Sequence, residues 1–409
     1  MRLLYVLQRY GHEVAGGAER HCREFATRLA GRGHTVEVLT SCAVNHATWA
    51  NAYPEGDSDV DGVLVHRLAV ARLREEYFFA SLNNRVLFAP PPALHLQRRW
   101  LEEQGPVVPD LVPWLVERAA AYDVVVFFTY LFYPTWAGLP AVTGLAPSVL
   151  HPTAHDEAAL GIPYFDTVFR QPSAFAFSTE EERSLVRRRF AFTQPSAVIG
   201  VGVDLDDDPT ADEASFRRDH GLGDRPYLVF LGRVEPGKGS RELFEFFAAY
   251  KARNPGPLAL VILGQVVFAL PDHPDVVMTG FVDDTTRRAA LSGALALVQP
   301  SYFESFSMVL TEAWAAGKGA LVQGHCEVLA GQAIRAGGGL PYQGFAEFEA
   351  AVDLLVENPQ LAGALGAAGR RYVEERYAWE AVMTSYERFL ATVAVRPRDT
   401  AQAGFGVEG

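Results

Sequence analysis

Short apolar runs alternate with helical patterns along most of this 409-residue chain. Five runs in the first half are typical of strands buried on both faces, at residues 3–7, 35–40, 63–68, 124–129 and 147–150. Between the first two, residues 18–32 have the spacing of an amphipathic helix with Phe25, Leu29 and Ala30 inward. Strands that alternate with helices in this way indicate a parallel sheet covered by helices on both sides.

A second series of the same kind begins near residue 227. Its strand-like runs lie at residues 227–231, 258–263, 276–279, 294–298 and 319–322, and the last two are expected to complete the sheet. The first helical pattern of this half is at residues 240–251, and amphipathic helices run through residues 370–394. Residues 200–209 are rich in Gly, Asp and Pro, and they are the predicted linker between the two series.

The pattern predicts an α/β protein with two Rossmann-like, doubly wound parallel-sheet domains that face a central cleft. We predict an N-terminal domain at residues 1–205 and a C-terminal domain at residues 206–376. Residues 72–115 break the alternation with three consecutive prolines at 90–92, so we interpret them as an insertion that shapes a pocket outside the sheet. The tail at residues 396–409 is predicted to be disordered from its composition.

Composition and charge narrow the class of protein. With 49% hydrophobic and 21% charged residues the chain is globular, and its length favours two domains. A formal net charge of −13 argues against a nucleic-acid-binding surface and against strong electrostatic adhesion to anionic lipid. Cys22, Cys42 and Cys326 are odd in number and widely spaced, which predicts neither a disulfide framework nor a metal site. A cytoplasmic setting is the simplest interpretation.

Two apolar segments resemble targeting or membrane-spanning sequences. The run at residues 3–7 is too short for a signal peptide, and no small-residue cleavage site follows it. Residues 124–150 carry no charged side chain and are long enough to cross a bilayer, but Pro134, Gly138 and Pro140 interrupt them. We predict two buried strands joined by a helix there, and no transmembrane segment.

The most informative stretch carries Glu304 and Glu312, eight residues apart across a predicted strand end, loop and helix start. Ser305 or Ser307 is expected to cap that helix, which Gly317 ends. Free backbone N–H groups at a helix start bind anions such as a diphosphate. Carboxylates on either side of the diphosphate would then hold hydroxyl groups of a sugar nucleotide. A capped helix that carries two solvated glutamates is the alternative.

A second candidate site follows the strand at residues 227–231. Gly232 ends the strand, Arg233 follows at its carboxyl end, and a turn places Lys238 directly before a helix. Two fixed cations at this place would neutralise the charge that grows on a diphosphate leaving group. Solvated charges on an ordinary strand–helix loop are the alternative.

Weaker signals follow two strands of the first half. Gly16 and Gly17 permit close approach of the backbone to a phosphate or sugar, but the chain has no G-x-G-x-x-G fingerprint, so a tight turn required by packing stays open. His151 and His155 follow another strand, and either could bind a sugar hydroxyl. With Asp156 and Glu157 they are too close in sequence to converge on a metal without a tight loop, so we predict no metal.

Taken together, these segments resemble the family 4 retaining glycosyltransferases of GT-B fold. The matching segments occur in the family's order over residues 1 to about 395: Gly16-Gly17-Ala18-Glu19, Arg32-Gly33-His34-Thr35-Val36, Gly232-Arg233 to Lys238-Gly239, Gly280-Phe281-Val282, and the E-x7-E pair Glu304/Glu312. Two segments depart from the family pattern: Gly317-Lys318-Gly319 lacks a proline, and Gly324-His325-Cys326-Glu327 replaces a glycine pair. Both departures fall beside the expected donor site.

The resemblance implies a role for each matching position. Glu304, Arg233, Lys238 and His155 would be the catalytic residues, with His155 near the anomeric carbon. The donor nucleotide sugar would be bound by a larger set: Gly16, Gly17, Gly232, Phe281, Val282, Ser305, Phe306, Ser307, Met308 and Glu312. The last helix, at residues 377–395, would cross back to the N-terminal acceptor-binding domain. The resemblance assigns no role to Asp156 or Glu157.

The expected reaction is the transfer of a sugar, with retention, from a UDP- or GDP-sugar to a glycan, lipid-linked or small-molecule acceptor, in cell-surface polysaccharide or glycoconjugate biosynthesis. We expect front-face displacement, no permanently bound cofactor, and an acceptor near residues 72–115 and 130–133. Peripheral contact with the inner face of the membrane is compatible with this activity. Two alternatives stay open, an NAD-dependent two-domain oxidoreductase or epimerase and a non-catalytic sugar-nucleotide-binding protein.

Overall fold

A computed structural model describes residues 1–14, 16–88, 93–205, 212–268 and 270–395. The chain divides into two compact units, one comprising Met1–Ile199 with the chain from Met383 onward and the other Gly200–Val382. Three predicted features lie outside the described residues: the proline run at 90–92, the end of the linker at 206–209 and the tail at 396–409.

The described part of the first unit contains one eight-stranded sheet. Its strands are β1 (Arg2–Val6), β2 (Thr35–Ser41), β3 (Gly56–Val60), β4 (Val63–Leu68), β5 (Val124–Phe128), β6 (Ser148–His151), β7 (Ala174–Phe177) and β8 (Ser196–Val198). They lie in the order β3-β4-β2-β1-β5-β6-β7-β8, and only the β3–β4 pair is antiparallel. The core residues of β1 and β5 have no exposed surface, because helices cover both faces of the sheet.

The helices of the first unit that follow in sequence are α1 (Gly17–Gly31), α2 (Glu76–Leu87), α3 (Leu94–Gln104), α4 (Leu111–Arg118), α5 (Tyr133–Val142), α6 (Phe165–Val168) and α7 (Glu180–Phe190). Short 3₁₀ turns occupy Ala119–Ala121 and Ala158–Gly161. Residues 72–115, interpreted as an insertion, form α2, α3 and most of α4, and Trp100, Leu101 and Leu111 from this stretch are buried in the main core of the unit.

The second unit has a six-stranded sheet in its described residues. Its strands are β9 (Tyr227–Leu231), β10 (Ala259–Leu263), β11 (Val276–Gly280), β12 (Ala296–Gln299), β13 (Ala320–Gln323) and β14 (Gly339–Tyr342), in the order β11-β10-β9-β12-β13-β14 and all parallel. Its helices are α8 (Glu213–Asp219), α9 (Ser240–Arg253), α10 (Asp284–Ser292), α11 (Met308–Ala315), α12 (Glu327–Ala336), α13 (Phe345–Glu357) and α14 (Pro359–Arg376). A 3₁₀ turn lies at Pro236–Lys238.

The last helix, α15 (Trp379–Ala394), begins in the range of the second unit and continues into that of the first. At its start, the indole of Trp379 occupies the space that a Cβ at Gly202 would need, with the nearest ring atoms 2.2 Å away. Further along, Tyr386 is fully buried, and Glu387 pairs with Arg32 at 2.9 Å. The helix is therefore packed along its length.

The fold class was predicted correctly, but four strands were missed. β3 forms a hairpin with β4 through Asp61-Gly62, whose φ angles of 55° and 79° fit a two-residue turn of the Asp-Gly type. β7, β8 and β14 have only three or four residues each, too few for a clear apolar period. The prediction that residues 319–322 complete the second sheet was wrong, because β14 pairs with β13 beyond them. Ala30 is half-buried, and Ala26 takes the inward position in α1.

The uncharged stretch at 124–150 forms β5, α5 and β6, as predicted. Among the helices of the described residues, none combines the length and the apolar character needed to cross a bilayer.

Candidate functional site

The centre of the second sheet is a topological switch point. β9 leads to β10 and β11 on one side, whereas β12 leads to β13 and β14 on the other. The loops after β9 and β12 therefore leave the same edge of the sheet side by side and diverge. In open α/β sheets this is the place where ligands bind.

A close contact joins these two loops. Gly239 has φ 68°, and a Cβ there would lie 2.2 Å from the carbonyl oxygen of Pro300. Any other residue would therefore push the β12 loop away or strain its own backbone. Gly239 holds the start of α9 against the loop that carries Glu304.

The contact brings two predicted catalytic residues together. Lys238 Nζ lies 2.8 Å from Glu304 Oε1, and their side chains are 32% and 12% exposed. Gln299, at the end of β12, donates from Nε2 to the same carboxylate oxygen at 3.3 Å. The pair is fixed from inside the protein and open to solvent on the Lys238 side, so a ligand can reach it.

Arg233, the second predicted cation, has a different partner. Its guanidinium pairs with Glu235 at 3.0 Å and remains 38% exposed. Gly232, which precedes it, has φ 145°, a backbone angle that favours glycine. Arg233 therefore belongs to the same loop as Lys238 but is turned toward a neighbouring acid.

The start of α11 differs from the prediction. Ser307 is the N-cap residue, but it has φ 72° and its side chain makes no capping hydrogen bond to the backbone. The hydroxyl instead accepts a hydrogen bond from Gln299 Nε2 at 3.0 Å. Phe306 is buried with its ring against Tyr377, at 5.0 Å between centroids. This environment leaves only the backbone of Phe306 for ligand contact.

Glu312 lies inside α11 and pairs with a residue of another helix. Its Oε1 is 3.4 Å from Arg287 of α10, a residue that the sequence analysis did not select. Arg287 also pairs with Asp284 one helical turn earlier, at 3.2 Å. Since α10 follows β11 and α11 follows β12, only the folded sheet brings Arg287 to Glu312, and no local signal announces it.

Phe281 and Val282 follow β11 at the same edge of the sheet. Gly280 has φ 71°, and Phe281 is 83% exposed, whereas Val282 is half-buried. A large aromatic ring that is so exposed has no packing role within the unit. Its flat surface is available for stacking.

In the first unit, the switch point between β1 and β5 carries a buried charged cluster. Arg9 and Glu19 form an ion pair with side chains only 8% and 6% exposed. Gln8 donates to Glu19 at 2.8 Å and accepts from the hydroxyl of Thr129 at 3.0 Å. The cluster satisfies itself within the protein, as a buried charge pair requires.

This cluster gives the predicted glycine loop an additional structural reason. A Cβ at Gly16 would lie 2.0 Å from Glu19 Oε2, so glycine is needed there for the carboxylate to fold back over the loop. Gly17 is the first residue of α1. Gly16 therefore has a packing role, while the predicted contacts of Gly16 and Gly17 with the donor stay predictions.

His155 stands in a loop that side chains hold from two sides. Its Nδ1 is 3.5 Å from Glu157 Oε1, and Glu157 accepts from the hydroxyl of Tyr130 at 2.8 Å. Glu182 accepts from the backbone N–H of Ala154 at 2.8 Å, directly before His155. Burial raises the pKa of Glu182 to about 8, although backbone N–H donors oppose the shift. Glu157 thus has a structural partner, which the sequence did not reveal.

Glu182 was missed by the sequence analysis, yet a local signal was available. It stands three residues after Thr179, whose side chain accepts from the backbone N–H of Glu182 at the start of α7. Thr-Glu-Glu-Glu is therefore a capping-box pattern. What the pattern does not show is that the carboxylate reaches across to Ala154.

His151 is a core residue, so its candidacy as a sugar-binding group was wrong. Only 1% of it is exposed, its ring stacks on Phe128 at 4.4 Å, and Nε2 is 2.9 Å from the hydroxyl of Tyr386. Burial lowers its pKa well below the ordinary value, with a smaller contribution from His21. The side chain is neutral and inaccessible to a ligand.

Within the described ranges, no three or more His, Cys, Asp or Glu side chains are grouped so that they could hold a metal ion. All three cysteines are free and buried.

Two doubly wound α/β units, each with charged residues at a switch point, are the class of fold in which ligands bind at the carboxyl edge of the sheet. The glycosyl transferases group 1 family profile matches residues 212–372, and the glycosyltransferase family 4 profile matches residues 15–207. The D-inositol 3-phosphate glycosyltransferase of Rhodococcus erythropolis is 30% identical, over 90% of this chain and 84% of the relative. The chain belongs to the family 4 glycosyltransferases, and it is a sugar-transferring enzyme.

Other related proteins also match this chain over nearly its whole length. The glycogen synthase of Mycobacterium tuberculosis is 28% identical over 94% of this chain and 93% of its own length. The structure of sucrose-phosphate synthase from Thermosynechococcus elongatus has a TM-score of 0.70 at 18% identity, covering 96% of this chain and 99% of the other. Anabaena HepE in complex with UDP-glucose has a TM-score of 0.67 at 15% identity, covering 96% and 100%. These two structures share the fold, which is that of GT-B glycosyltransferases.

Proposed function

We propose that this protein transfers a sugar, with retention of configuration, from a nucleoside-diphosphate sugar to a glycan, lipid-linked or small-molecule acceptor. UDP- and GDP-sugars are the proposed donors, and the structural neighbour solved with UDP-glucose favours testing uridine first. Cytoplasmic biosynthesis of a glycoconjugate or cell-surface polysaccharide is the setting that fits this chemistry.

The observation that carries the proposal is the Lys238–Glu304 pair at the switch point of the second sheet. A bound diphosphate would attract the ammonium group, and a sugar hydroxyl would donate to the carboxylate. Lys238 and Glu304 would thus each replace part of their contact with one another by a contact with the ligand. Lys238 would then lie beside the leaving group as its charge grows, and a cation at that position would lower the barrier to departure.

The diphosphate would lie at the start of α11. Ser307 and Met308 would offer backbone N–H groups there, together with the backbone of Ser305 and Phe306. Arg233 would turn from Glu235 toward the phosphates when the donor binds, since it is held only by an exposed pair. The backbone at Gly232 permits close approach of the nucleotide.

The nucleoside would occupy the neighbouring positions along the same edge. Glu312, oriented by Arg287, would accept from the ribose hydroxyls. The exposed ring of Phe281 would stack on the base, with Val282 beside it. Stacking accepts every base, so this contact leaves the choice between uracil and guanine to hydrogen bonds.

We assign the acceptor to the N-terminal domain and the donor to the C-terminal domain, with the crossing helix at residues 377–395. His155, held by Glu157, would contact the sugar near its anomeric carbon, and Gly17 would donate a backbone N–H to the diphosphate. Glu304 is ion-paired and hydrogen-bonded, which suits binding hydroxyls better than forming a covalent bond. The acceptor would therefore attack the anomeric carbon from the same face from which the leaving group departs.

A thermal-shift panel of UDP, GDP, ADP and NAD⁺ tests the donor class, because a ligand that binds only the native state raises the melting temperature. We expect a rise with UDP or GDP and none with NAD⁺. Release of the nucleoside diphosphate from a sugar donor, measured with candidate acceptors, then separates a transferase from a binding protein.

Two substitutions sharpen this test. Glu312→Gln should weaken UDP or GDP binding about tenfold, the loss of one charge-assisted hydrogen bond. Arg241→Ala, an exposed change on α9, is the matched control and should leave binding unchanged. Tight binding of NAD⁺ with no response to UDP or GDP would contradict the proposed donor class.

A further inference from the structure

The paired helices α2 and α3 expose an unusual group of large apolar side chains. Sixteen large hydrophobic residues are exposed in the described parts of the chain, and five of them fall between residues 73 and 94: Leu73, Tyr77, Phe78, Phe88 and Leu94. Tyr77 is 94% exposed and Phe88 75%. Scattered exposed hydrophobics need no explanation, whereas several on one helix pair and its flanking residues indicate an interaction surface.

The other face of this helix pair is well packed, so the exposure is not a sign of poor folding. Phe79 stacks on Trp100 at 6.3 Å between ring centroids, and Trp100 Nε1 donates to Asn83 at 2.5 Å. Leu82 and Val86 point into the main core of the first unit. The helix pair thus has an anchored inner face and an apolar outer face. Phe88 and Leu94 lie at the end where the two helices are joined.

The exposed charges nearest to the join of the two helices are positive. Residues 77–101 contain no Asp or Glu, in a chain with 49 acidic residues, and they contain Arg85, Arg98 and Arg99. Arg85 and Arg98 are exposed, and the Arg99 guanidinium lies 5.3 Å from the Phe78 ring centroid. The acids of the pair lie toward its other end: α2 begins at Glu76, and near the end of α3 Glu102 pairs with Arg72 at 3.9 Å and Glu103 with Arg99 at 2.9 Å.

We propose that this surface, the outer face of α2 and α3 defined by Tyr77, Phe78, Phe88, Leu94 and the exposed Arg85 and Arg98, docks on an anionic lipid bilayer. Aromatic rings suit the boundary between headgroups and acyl chains, and arginines beside them suit anionic headgroups. The overall charge of −13 opposes adhesion of the whole molecule, so the contact is local, weak and reversible.

A second copy of the chain fits this surface less well. In a two-fold symmetric dimer centred on the join of the two helices, Arg85 and Arg98 would face the arginines of the second copy, because the acids of α2 and α3 lie toward the other end of the pair. An anionic bilayer supplies the missing negative charge. The inference does not depend on the transfer reaction or its donor.

Co-sedimentation of the full chain with vesicles tests the proposal, in the absence of nucleotide. We expect binding to vesicles of phosphatidylglycerol and phosphatidylcholine, little binding to phosphatidylcholine alone, and release at high salt. Arg98→Glu should reduce the partition coefficient at least fivefold, which is the effect expected from removing about one positive charge near an anionic surface. Phe88→Ser should reduce it by a similar factor or more, by removing an apolar side chain from the contact.

Matched controls on exposed positions elsewhere are Arg371→Glu on α14 and Ile334→Ser on α12, which should bind vesicles like the unchanged protein. Circular dichroism confirms that each variant is folded, and because all four positions are exposed, none should unfold the protein. Equal binding to neutral and anionic vesicles, or unchanged binding by both Arg98→Glu and Phe88→Ser, overturns the proposal. A dimer in size-exclusion chromatography that Phe88→Ser dissociates would also overturn it, in favour of a second copy.

Discussion

The two sheets place charges at equivalent positions and treat them in opposite ways. At the switch point of the first sheet, Arg9 and Glu19 are less than a tenth exposed and pair with each other, and Gln8 donates a hydrogen bond to the same carboxylate. At the switch point of the second sheet, Lys238 remains one-third exposed while its partner Glu304 is held from inside. Both pairs are at the carboxyl edge, where ligands bind in this class of fold.

The difference in exposure distinguishes a charge pair that stabilises the fold from one that is accessible to a ligand. A buried pair has already lost its hydration, so removing one partner leaves an uncompensated charge in the interior. A partly exposed pair contributes little to stability and can change partners without a large desolvation cost. Position at the sheet edge alone does not identify a binding site, and burial decides which pair is available.

The largest expected effect comes from the second pair. Lys238→Ala and Glu304→Ala should each lower kcat/KM for sugar transfer by about 10³-fold, roughly 4 kcal/mol, if Lys238 stabilises the leaving diphosphate and Glu304 binds the sugar hydroxyls as proposed. Stability should change by less than about 1 kcal/mol, as for other partly exposed pairs. Steady-state kinetics and urea unfolding measure the two effects. Full turnover by a folded Lys238→Ala enzyme would remove that residue from the mechanism.

The first pair should show the reverse. Arg9→Met should lower the free energy of unfolding by about 3–5 kcal/mol, since Glu19 is left buried and unpaired. The double variant Arg9→Met/Glu19→Gln should recover part of that loss, because the orphan charge is gone. Chemical denaturation checks both. If Arg9→Met were as stable as the unchanged protein, the contrast between the two switch points would disappear.

A smaller, pH-dependent effect is expected from His21, which is buried beside His151 in the first unit. Burial lowers the pKa of His21 to about 3. Between pH 6.5 and about pH 3, His21 is therefore protonated in the unfolded chain and neutral in the folded protein. Its contribution to stability is therefore present above pH 6.5 and is lost as the pH falls. The loss reaches roughly 2 kcal/mol at pH 5.

Replacing the ring tests this assignment. His21→Phe should keep the edge-on contacts with Phe25 and Phe128 and should make the decline of unfolding free energy between pH 6.5 and 4 less steep, while His151, whose pKa burial also lowers, keeps its own share. His95→Gln, exposed on α3, is the control and should leave the decline unchanged. The same acid-side slope in both variants would show that His21 is not its source.

The smallest effect concerns Ser307, which holds the loop of the second pair in a left-handed backbone conformation. Ser307→Gly should relieve about 1 kcal/mol of backbone strain and lose one hydrogen bond from Gln299, with nearly no net change in stability. Ser307→Ala keeps the strain and loses the bond, so it should be about 1 kcal/mol less stable than the glycine variant. Urea midpoints of the two variants give the comparison directly, and equal midpoints would argue against strain at this position.

The sequence predicted the fold class and most long strands, because strands buried on both faces leave continuous apolar runs. It also selected Lys238 and Glu304, since their loops carry glycine, proline and charge at strand ends. The boundaries of β9 were predicted to the residue. Short edge strands such as β8 were not predicted, because three residues are too few to show an apolar period.

What the sequence by itself determined is the order of strands and helices and the charged residues at their ends, since these depend on neighbours in the chain. Only the tertiary structure decided that His151 is a core residue, that Arg287 meets Glu312, and that Glu182 reaches Ala154. Burial and pairing between segments far apart in the chain are set by which strands become neighbours. A local pattern carries no information about that choice.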